Sequence, residues 1–285
     1  MPFPGTPGPQ LSPVDFRLLR DLFHEHAGLY FRDELAYLLE RRLGPRLKAH
    51  GFADFGEYHR FLRYDPQRRA ELEAATELLT TNETYFFREP QQLRAFAQEI
   101  LPALAEANKA TRRLRVWSAG CSSGEEVYTI AILVKQSGLF EGWDVGVFGS
   151  DIARRVLQVA RAGAYGTHAF RAADAEMMQR WFHPQVDKWV VNEEVRRLVS
   201  FGHLNLLDPA TMGLVGPVDA VFCRNVMIYF DVPARKRVCR SFHEKLAEGG
   251  FLLLGHSESL LNVTADFELV HLKADLVYRK PRPKR

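Results

Sequence analysis

The 285-residue chain has room for about two domains, and its 46% hydrophobic and 26% charged composition excludes wholesale disorder. No apolar run reaches the roughly 18–20 residues that cross a bilayer. Met1-Pro2-Phe3-Pro4 has neither the basic start nor the apolar stretch of a secretory signal, and three cysteines without a Cys-x-x-Cys give no disulfide framework and no metal site, which points to the cytoplasm. The net charge of +3 belongs to a tail: five of the 38 basic side chains lie in Arg279–Arg285, leaving 33 against 35 acids, a body of −2 that argues against a nucleic-acid partner.

Residues 1–13 hold five prolines and two glycines and are expected to form a mobile arm. From 14 to 79 the apolar spacing is helical throughout: Leu18, Leu19, Leu22 and Phe23 share one face, Leu35, Leu38, Leu39, Leu43 and Leu47 a second, Phe55, Tyr58, Phe61 and Leu62 a third. Gly44-Pro45 is expected to bend or interrupt the second helix. Thr80–Thr84 reads as a loop, and Pro90 starts a helix to about Leu104. Short apolar runs then alternate with helices. Strands are expected at Leu114–Ser118, Val145–Ser150, Val218–Cys223 and Phe251–Gly255. Helices are expected at Gly124–Ser137, Ile152–Ala162 and Pro233–Ala247, and Phe267–Val270 with Leu276–Arg279 as an antiparallel pair. Between about 165 and 201 the rhythm breaks into Met177–Phe182 (helix), Trp189–Val191 and Leu198–Phe201 (strands), read as a small β-subdomain insertion. The expected architecture is a doubly wound, mostly parallel α/β sheet over 80–279, preceded by an all-helical domain at 14–79 and followed by a basic tail at 280–285.

In such sheets ligands sit beyond the carboxyl ends of the strands. Four ends carry polar residues: Ala119–Glu126, Ser150-Asp151, Asn205-Leu206 and Cys223–Tyr229. Gly120 and Gly124 allow a tight turn and close approach to a ligand, but the pattern is not the dinucleotide G-x-G-x-x-G. Ser122-x-x-Glu125 and Ser123-x-x-Glu126 equally fit capping boxes. Asp151 is placed to accept both hydroxyls of a ribose, or to cap the next helix. A ribose without a diphosphate loop points to a nucleoside cofactor, S-adenosylmethionine being the obvious one. Arg224 reads as a cation at the cleft mouth or as a salt bridge to Asp219 or Asp231. Asn82–Glu89 reads as a ligand loop or as an interdomain plug with Phe86 and Phe87 packed and Arg88 snorkelling.

Leu79–Glu89, Val116–Glu126, Ser150-Asp151-Ile152, Phe222–Asp231 and Gly255-His256-Ser257-Glu258-Ser259 occur in the order found in the CheR-type chemotaxis receptor methyltransferases, which the chain resembles from about residue 14 to 279. The resemblance implies a class I S-adenosylmethionine-dependent methyltransferase fold. It also implies methyl transfer to glutamate carboxylates on the cytoplasmic helical region of methyl-accepting chemotaxis receptors, leaving S-adenosylhomocysteine. By position, Asn82, Thr84, Arg88, Ala119, Glu125, Asp151, Asn205, Leu206, Cys223 and Arg224 match cofactor-lining residues. Arg88, Arg224 and Tyr229 match residues at the reaction centre, and Arg224 and Tyr229 are thought to face the incoming carboxylate. A monomer without membrane insertion is the expected form.

A glutamate is ionised at pH 7, so no general base is required and none is evident in these motifs. Arg41, Arg42, Arg46 and Lys48 are expected to steer an acidic receptor helix, against the plainer reading of a solvated helix face. Some family members carry a glycine-rich turn that grips a receptor C-terminal peptide. The matching Phe182–Val191 is shorter and lacks glycine, so methylation independent of that tether is expected. The alternative is a catalytically degenerate, cofactor-sensing module.

Overall fold

The computed structural model describes residues 9–282; the outer part of the Pro-rich arm and the last three residues of the basic tail lie outside these residues. The chain separates into two compact units, one of residues 1–81 with Tyr229–Asp231, the other of Asn82–Ile228 with Val232–Arg285.

The first unit is helical. Helix α1 (Pro13–Ala27) begins where Ser12 Oγ accepts the Asp15 N–H at 3.1 Å, with Pro13 in the first turn, and ends at left-handed Gly28. Helices α2 (Ala36–His50), α3 (Phe55–Tyr64) and α4 (Arg68–Leu79) complete it, with Leu19, Phe23, Leu39, Leu43, Leu47, Phe55 and Leu62 fully buried. Contrary to an interruption at Gly44-Pro45, α2 runs through Pro45 without a break. Proline removes one backbone donor, but Leu39, Leu43 and Leu47 hold the helix into the core on either side of it. Tyr229–Asp231 joins this unit: Tyr229 O accepts the Tyr30 N–H at 2.9 Å, Phe230 bridges Leu29, and Asp231 Oδ2 lies 3.0 Å from His24 Nε2.

At its centre the Glu71 carboxylate, 5% exposed, accepts from Tyr58 Oη at 2.6 Å and pairs with Arg46 and, at 2.8 Å, His50. Burial pushes the Glu71 carboxyl up, but hydrogen bonds from Arg46 and Tyr58 outweigh it and leave its pKa below the usual carboxylate range.

The second unit is an α/β sandwich. Helix α5 (Pro90–Ala95) passes through a π-helical turn, Phe96–Ile100, into α6 (Leu101–Ala107). Then follow β1 (Arg113–Ala119), α7 (Glu125–Ser137), β2 (Asp144–Asp151), α8 (Arg154–Ala162), β3 (Ala164–Tyr165), α9 (Ala175–Trp181), β4 (Phe182–Gln185), β5 (Lys188–Val191) and α10 (Glu193–Arg196). The chain continues with β6 (Val199–His203), α11 (Pro209–Met212), β7 (Val218–Cys223), α12 (Val232–Lys245), β8 (Leu246–Leu254), β9 (Glu268–His271) and β10 (Leu276–Arg279). The seven-stranded sheet has the order β6-β2-β1-β7-β8-β10-β9, the first five parallel and β10 antiparallel to both neighbours. This is the class I methyltransferase arrangement. The insertion is smaller than expected. Its sheet is β3-β5-β4, and the strand expected at Leu198–Phe201 instead lies at Val199–His203 as the parallel edge of the main sheet, beside β2. Phe86 anchors the insertion, its ring centroid 4.9 Å from those of Tyr165, Phe170 and Phe182.

A carboxylate with a depressed pKa contributes stability that is present above its unfolded pKa of about 4.3 and lost as pH falls through the lower folded value. Glu71→Gln is therefore expected to destabilise the helical unit by about 2 kcal/mol near neutral pH, below the roughly 3–5 of a fully buried pair because Arg46 is 32% exposed. Urea titrations at pH 7 and pH 3 check this; the difference from the parent chain should shrink at the lower pH.

Candidate functional site

The parallel strands deliver their carboxyl ends to one edge of the second unit, and the strand-end loops there are held by one another. After β1 the chain turns at Gly120 (φ +82°) and Gly124 (φ +93°). A Cβ on Gly120 would stand 2.4 Å from Val226 Cγ2, and one on Gly124 2.7 Å from Ala160 Cβ, so both positions demand glycine for space as well as for backbone. Neither capping box forms. Gly124 itself caps α7 with no side-chain bond, while Ser122 Oγ donates to Asn82 O at 2.9 Å and Ser123 Oγ to Glu125 Oε2 at 2.8 Å.

Asp151 ends β2 with its side chain almost buried. Oδ2 accepts the Ser122 N–H at 2.8 Å and Oδ1 the Ala153 N–H at 2.9 Å. It does not cap α8, which starts three residues later at Arg154 behind Ala153. It ties the loop after β1 to the loop after β2. A carboxylate can accept about four hydrogen bonds, so tying loops and receiving a ribose are compatible on one side chain. Glu125 opens α7, 4% exposed, and burial pushes its carboxyl up against the opposing Ser123 bond and the nearby Arg171 charge. Asn205 follows β6 and forms a turn, its Oδ1 accepting the Leu207 N–H at 3.0 Å; Leu206 beside it is buried. Ala119 and Cys223 end β1 and β7 in apolar surroundings, and burial drives the Cys223 thiol far above its ordinary pKa, leaving it neutral.

Arg224 is where the structure departs most from expectation. Its guanidinium, 4% exposed, is enclosed: Nη2 donates to Arg88 O at 2.6 Å and lies 3.1 Å from Glu89 Oε2, and Nη1 lies 3.1 Å from Glu126 Oε2. The expected partners are engaged elsewhere. Asp219 accepts Arg115 N–H at 2.7 Å and Asn108 Nδ2 at 2.9 Å, and Asp231 faces His24. Glu126 also accepts Ser118 Oγ at 2.7 Å, and burial pushes its carboxyl up despite the attraction of Arg224. Arg224 thus joins the segment before α5, the first turn of α7 and the end of β7.

The Asn82–Glu89 loop lies within this unit. Phe86 is its buried anchor; Asn82 and Thr84 are half-buried. Arg88 Nη1 donates to Glu83 O at 3.2 Å, and its guanidinium is 5.7 Å from the Tyr85 ring centroid. Arg171, a residue the sequence motifs did not single out, lies 3.7 Å from the same centroid and 2.9 Å from Glu83 Oε1. Glu89 and Glu126 stand in the sequence motifs, but their pairing with Arg224 was missed. No local signal marks them, because their partner is 135 and 98 residues away.

The four residues expected to steer an acidic partner divide. Arg41 and Lys48 are exposed on α2, whereas Arg42 Nη1 donates to Leu78 O and Thr80 O at 3.0 and 3.1 Å and Arg46 is committed to Glu71. Tyr229 is half-buried and groups with the helical unit.

The residues suit an adenosyl sulfonium that also carries an ammonium group: the buried carboxylates of Glu125 and Asp151 lie outside the Arg224 cluster, and two glycines let a ligand approach the backbone. Two family descriptions match the chain: "CheR methyltransferase, all-alpha domain" over residues 14–80 and "CheR methyltransferase, SAM binding domain" over residues 82–276. Among curated proteins, Chemotaxis protein methyltransferase 2 of Vibrio cholerae is 33% identical over 273 residues, covering 95% of this chain and 94% of that protein. Chemotaxis protein methyltransferases of Klebsiella aerogenes and Salmonella typhimurium are each 38% identical, covering 94% and 91% of this chain and 90% and 88% of theirs.

A bound cation favours ionised Glu125, so its carboxyl should titrate lower in the complex than alone. Affinity for S-adenosylhomocysteine, which carries the ammonium, is therefore expected to weaken as pH falls from 7 toward the raised pKa of free Glu125. Calorimetric titration across that range should show a slope that Glu125→Gln abolishes; an unchanged slope would remove Glu125 from the ammonium site.

Proposed function

Because the chain belongs to the CheR methyltransferase family and binds S-adenosylmethionine as its cofactor for methylation in chemotaxis, we propose that its acceptors are glutamate side chains on the cytoplasmic helices of chemotaxis receptors. It acts on them in the cytoplasm, as a monomer, without a receptor C-terminal peptide tether. What supports this reading is the family membership together with the character of the site: buried carboxylates and an enclosed guanidinium. A hydroxyl or amine acceptor must shed a proton. A glutamate with pKa about 4.3 arrives already ionised.

The cofactor, when bound, supplies a methyl group on a sulfonium. Asp151 receives the ribose hydroxyls, Glu125 the ammonium group, and Leu206 and the Asn205 turn flank the adenine. Asn82, Thr84 and Arg88 close the side formed by the 82–89 loop. The chain's task is then alignment, which can lower a barrier by roughly 7–11 kcal/mol. An arginine gripping the acceptor carboxylate would stabilise it before reaction and slow transfer. Arg224, satisfied by Glu89, Glu126 and the Arg88 carbonyl, cannot grip it. Arg88 remains to orient, and Tyr229 donates to one carboxylate oxygen while the other attacks.

Tetherless recognition rests on the insertion hairpin. Gln185 pairs with Lys188 across a two-residue Val186-Asp187 turn with no glycine to curl around a peptide. Transfer of tritiated methyl groups to receptor membranes tests the whole reading. Base-labile label is expected, equal on receptors with and without their last residues, and Tyr229→Phe should lower turnover by about ten- to a hundredfold with cofactor affinity intact. Label stable to base would exclude a carboxylate acceptor.

Arg41 and Lys48, exposed on α2, carry the steering of an acidic receptor helix. The Arg41→Glu/Lys48→Glu pair is expected to raise the receptor KM about tenfold at low salt and by less at high salt. An equal KM at both salts would return these residues to a solvated face.

A further inference from the structure

We propose that Glu258 is a positioning residue for methyl transfer, one whose carboxylate sets the shape of the turn that follows β7. The inference rests on the methyltransferase reading above and adds a residue to it. Four backbone N–H groups converge on this one carboxylate. Oε2 accepts from Asn225 at 2.7 Å and Gly255 at 2.8 Å; Oε1 accepts from Val226 at 3.0 Å and Ile228 at 3.2 Å. Three of the four donors lie between Arg224 and Tyr229, and the fourth lies just past the end of β8.

The backbone is shaped for this. Asn225 sits at φ +59°, a conformation that Asn tolerates better than most residues and that turns successive N–H groups to one side, forming an anion-binding concavity. Gly255 approaches so closely that a Cβ there would stand 2.9 Å from both Asn225 N and Glu258 Oε2. The same turn presses Val226 against Gly120, so the shape of the loop after β7 is passed to the loop after β1. A carboxylate is the one side chain that accepts at both oxygens. Glutamine of the same size would aim an NH2 group at two of the four donors.

Substitution should therefore move the turn without removing any group that touches substrate or cofactor. In the full-length chain, Glu258→Gln is expected to speed amide exchange about tenfold or more in peptides covering 224–229 and 254–259, with β1 and β2 peptides unchanged. The turnover number on receptor membranes should fall about ten- to a hundredfold while affinity for S-adenosylhomocysteine stays within about threefold. Glu258→Asp keeps both acceptors on a shorter arm and should fall between the two; it carries the same readouts if the glutamine variant does not fold. Turnover within about twofold of the parent, or faster exchange spread evenly over the α/β unit, would overturn the proposal. The exchange measurement needs no acceptor. A parent chain that labels no receptor refutes the functional reading, whereas unchanged protection in the two segments refutes the clamp.

Discussion

A buried guanidinium must be compensated, and the way Arg224 is compensated organises the α/β unit. Two carboxylates and one carbonyl surround it, drawn from the chain just before α5 and from the first turn of α7. A buried ion pair is weak grounds for stability, because desolvation offsets much of the attraction. Its consequence is uniqueness of arrangement. With Arg224 in place, the Arg88-Glu89 peptide cannot drift from the strand end, and Glu126 cannot rotate into water. The loop that precedes the fold is thereby fixed against the end of β7. The same enclosure explains why a cation so near the strand ends leaves the site acidic in character, suited to a positively charged cofactor.

Much of this was legible in the sequence. Short apolar runs located β1, β2 and β7 within a residue or two, because strands buried on both faces have little choice but Val, Leu, Phe and Ala, whereas β8 begins five residues before the run that marked it and β3 and β4 were not read as strands. The strand-end residues followed from topology. What escaped is what depends on distance in the chain. The partners of Arg224 could be guessed only from neighbours such as Asp219 and Asp231, and both were already engaged by nearer groups. The two capping boxes had the right spacing but not the right backbone: close packing of Gly124 on Ala160 puts a left-handed glycine where the cap would be. Val199–His203 read as part of the insertion because it follows it directly. Only its pairing with β2 reveals it as the sheet edge.

The basic strip on α2 shows the same limit differently. Four cations within eight residues look alike in sequence. In the fold, Arg46 neutralises a buried acid, while Arg42 keeps its charge but is held by the Leu78 and Thr80 carbonyls at the end of α4. Arg41 and Lys48 are the exposed cations of the strip. A charge counts toward recognition only after the fold's own carboxylates and carbonyls are satisfied.

Backbone strain marks the cleft more sharply than any motif. Of seven non-glycine residues with positive φ among those described, four fall in the loops around the strand ends: Phe87, Glu89, Ser122 and Asn225. Each such residue costs about 1–3 kcal/mol and persists only where its surroundings dictate it. Here the surroundings can be named. The N–H of Phe87 is held by Thr129 Oγ1, that of Ser122 by Asp151 and that of Asn225 by Glu258, while the Glu89 carboxylate is fixed by Arg224. At Ser122 and Asn225 the partner is a carboxylate, and hydrogen bonds to charged groups contribute about 1.5–3 kcal/mol, enough to offset the strain there. The side chains that define the site are therefore also those that hold its backbone in an otherwise unfavourable shape. Asp151 ties the loops after β1 and β2 through two backbone N–H groups, so its removal would cost the shape of both loops.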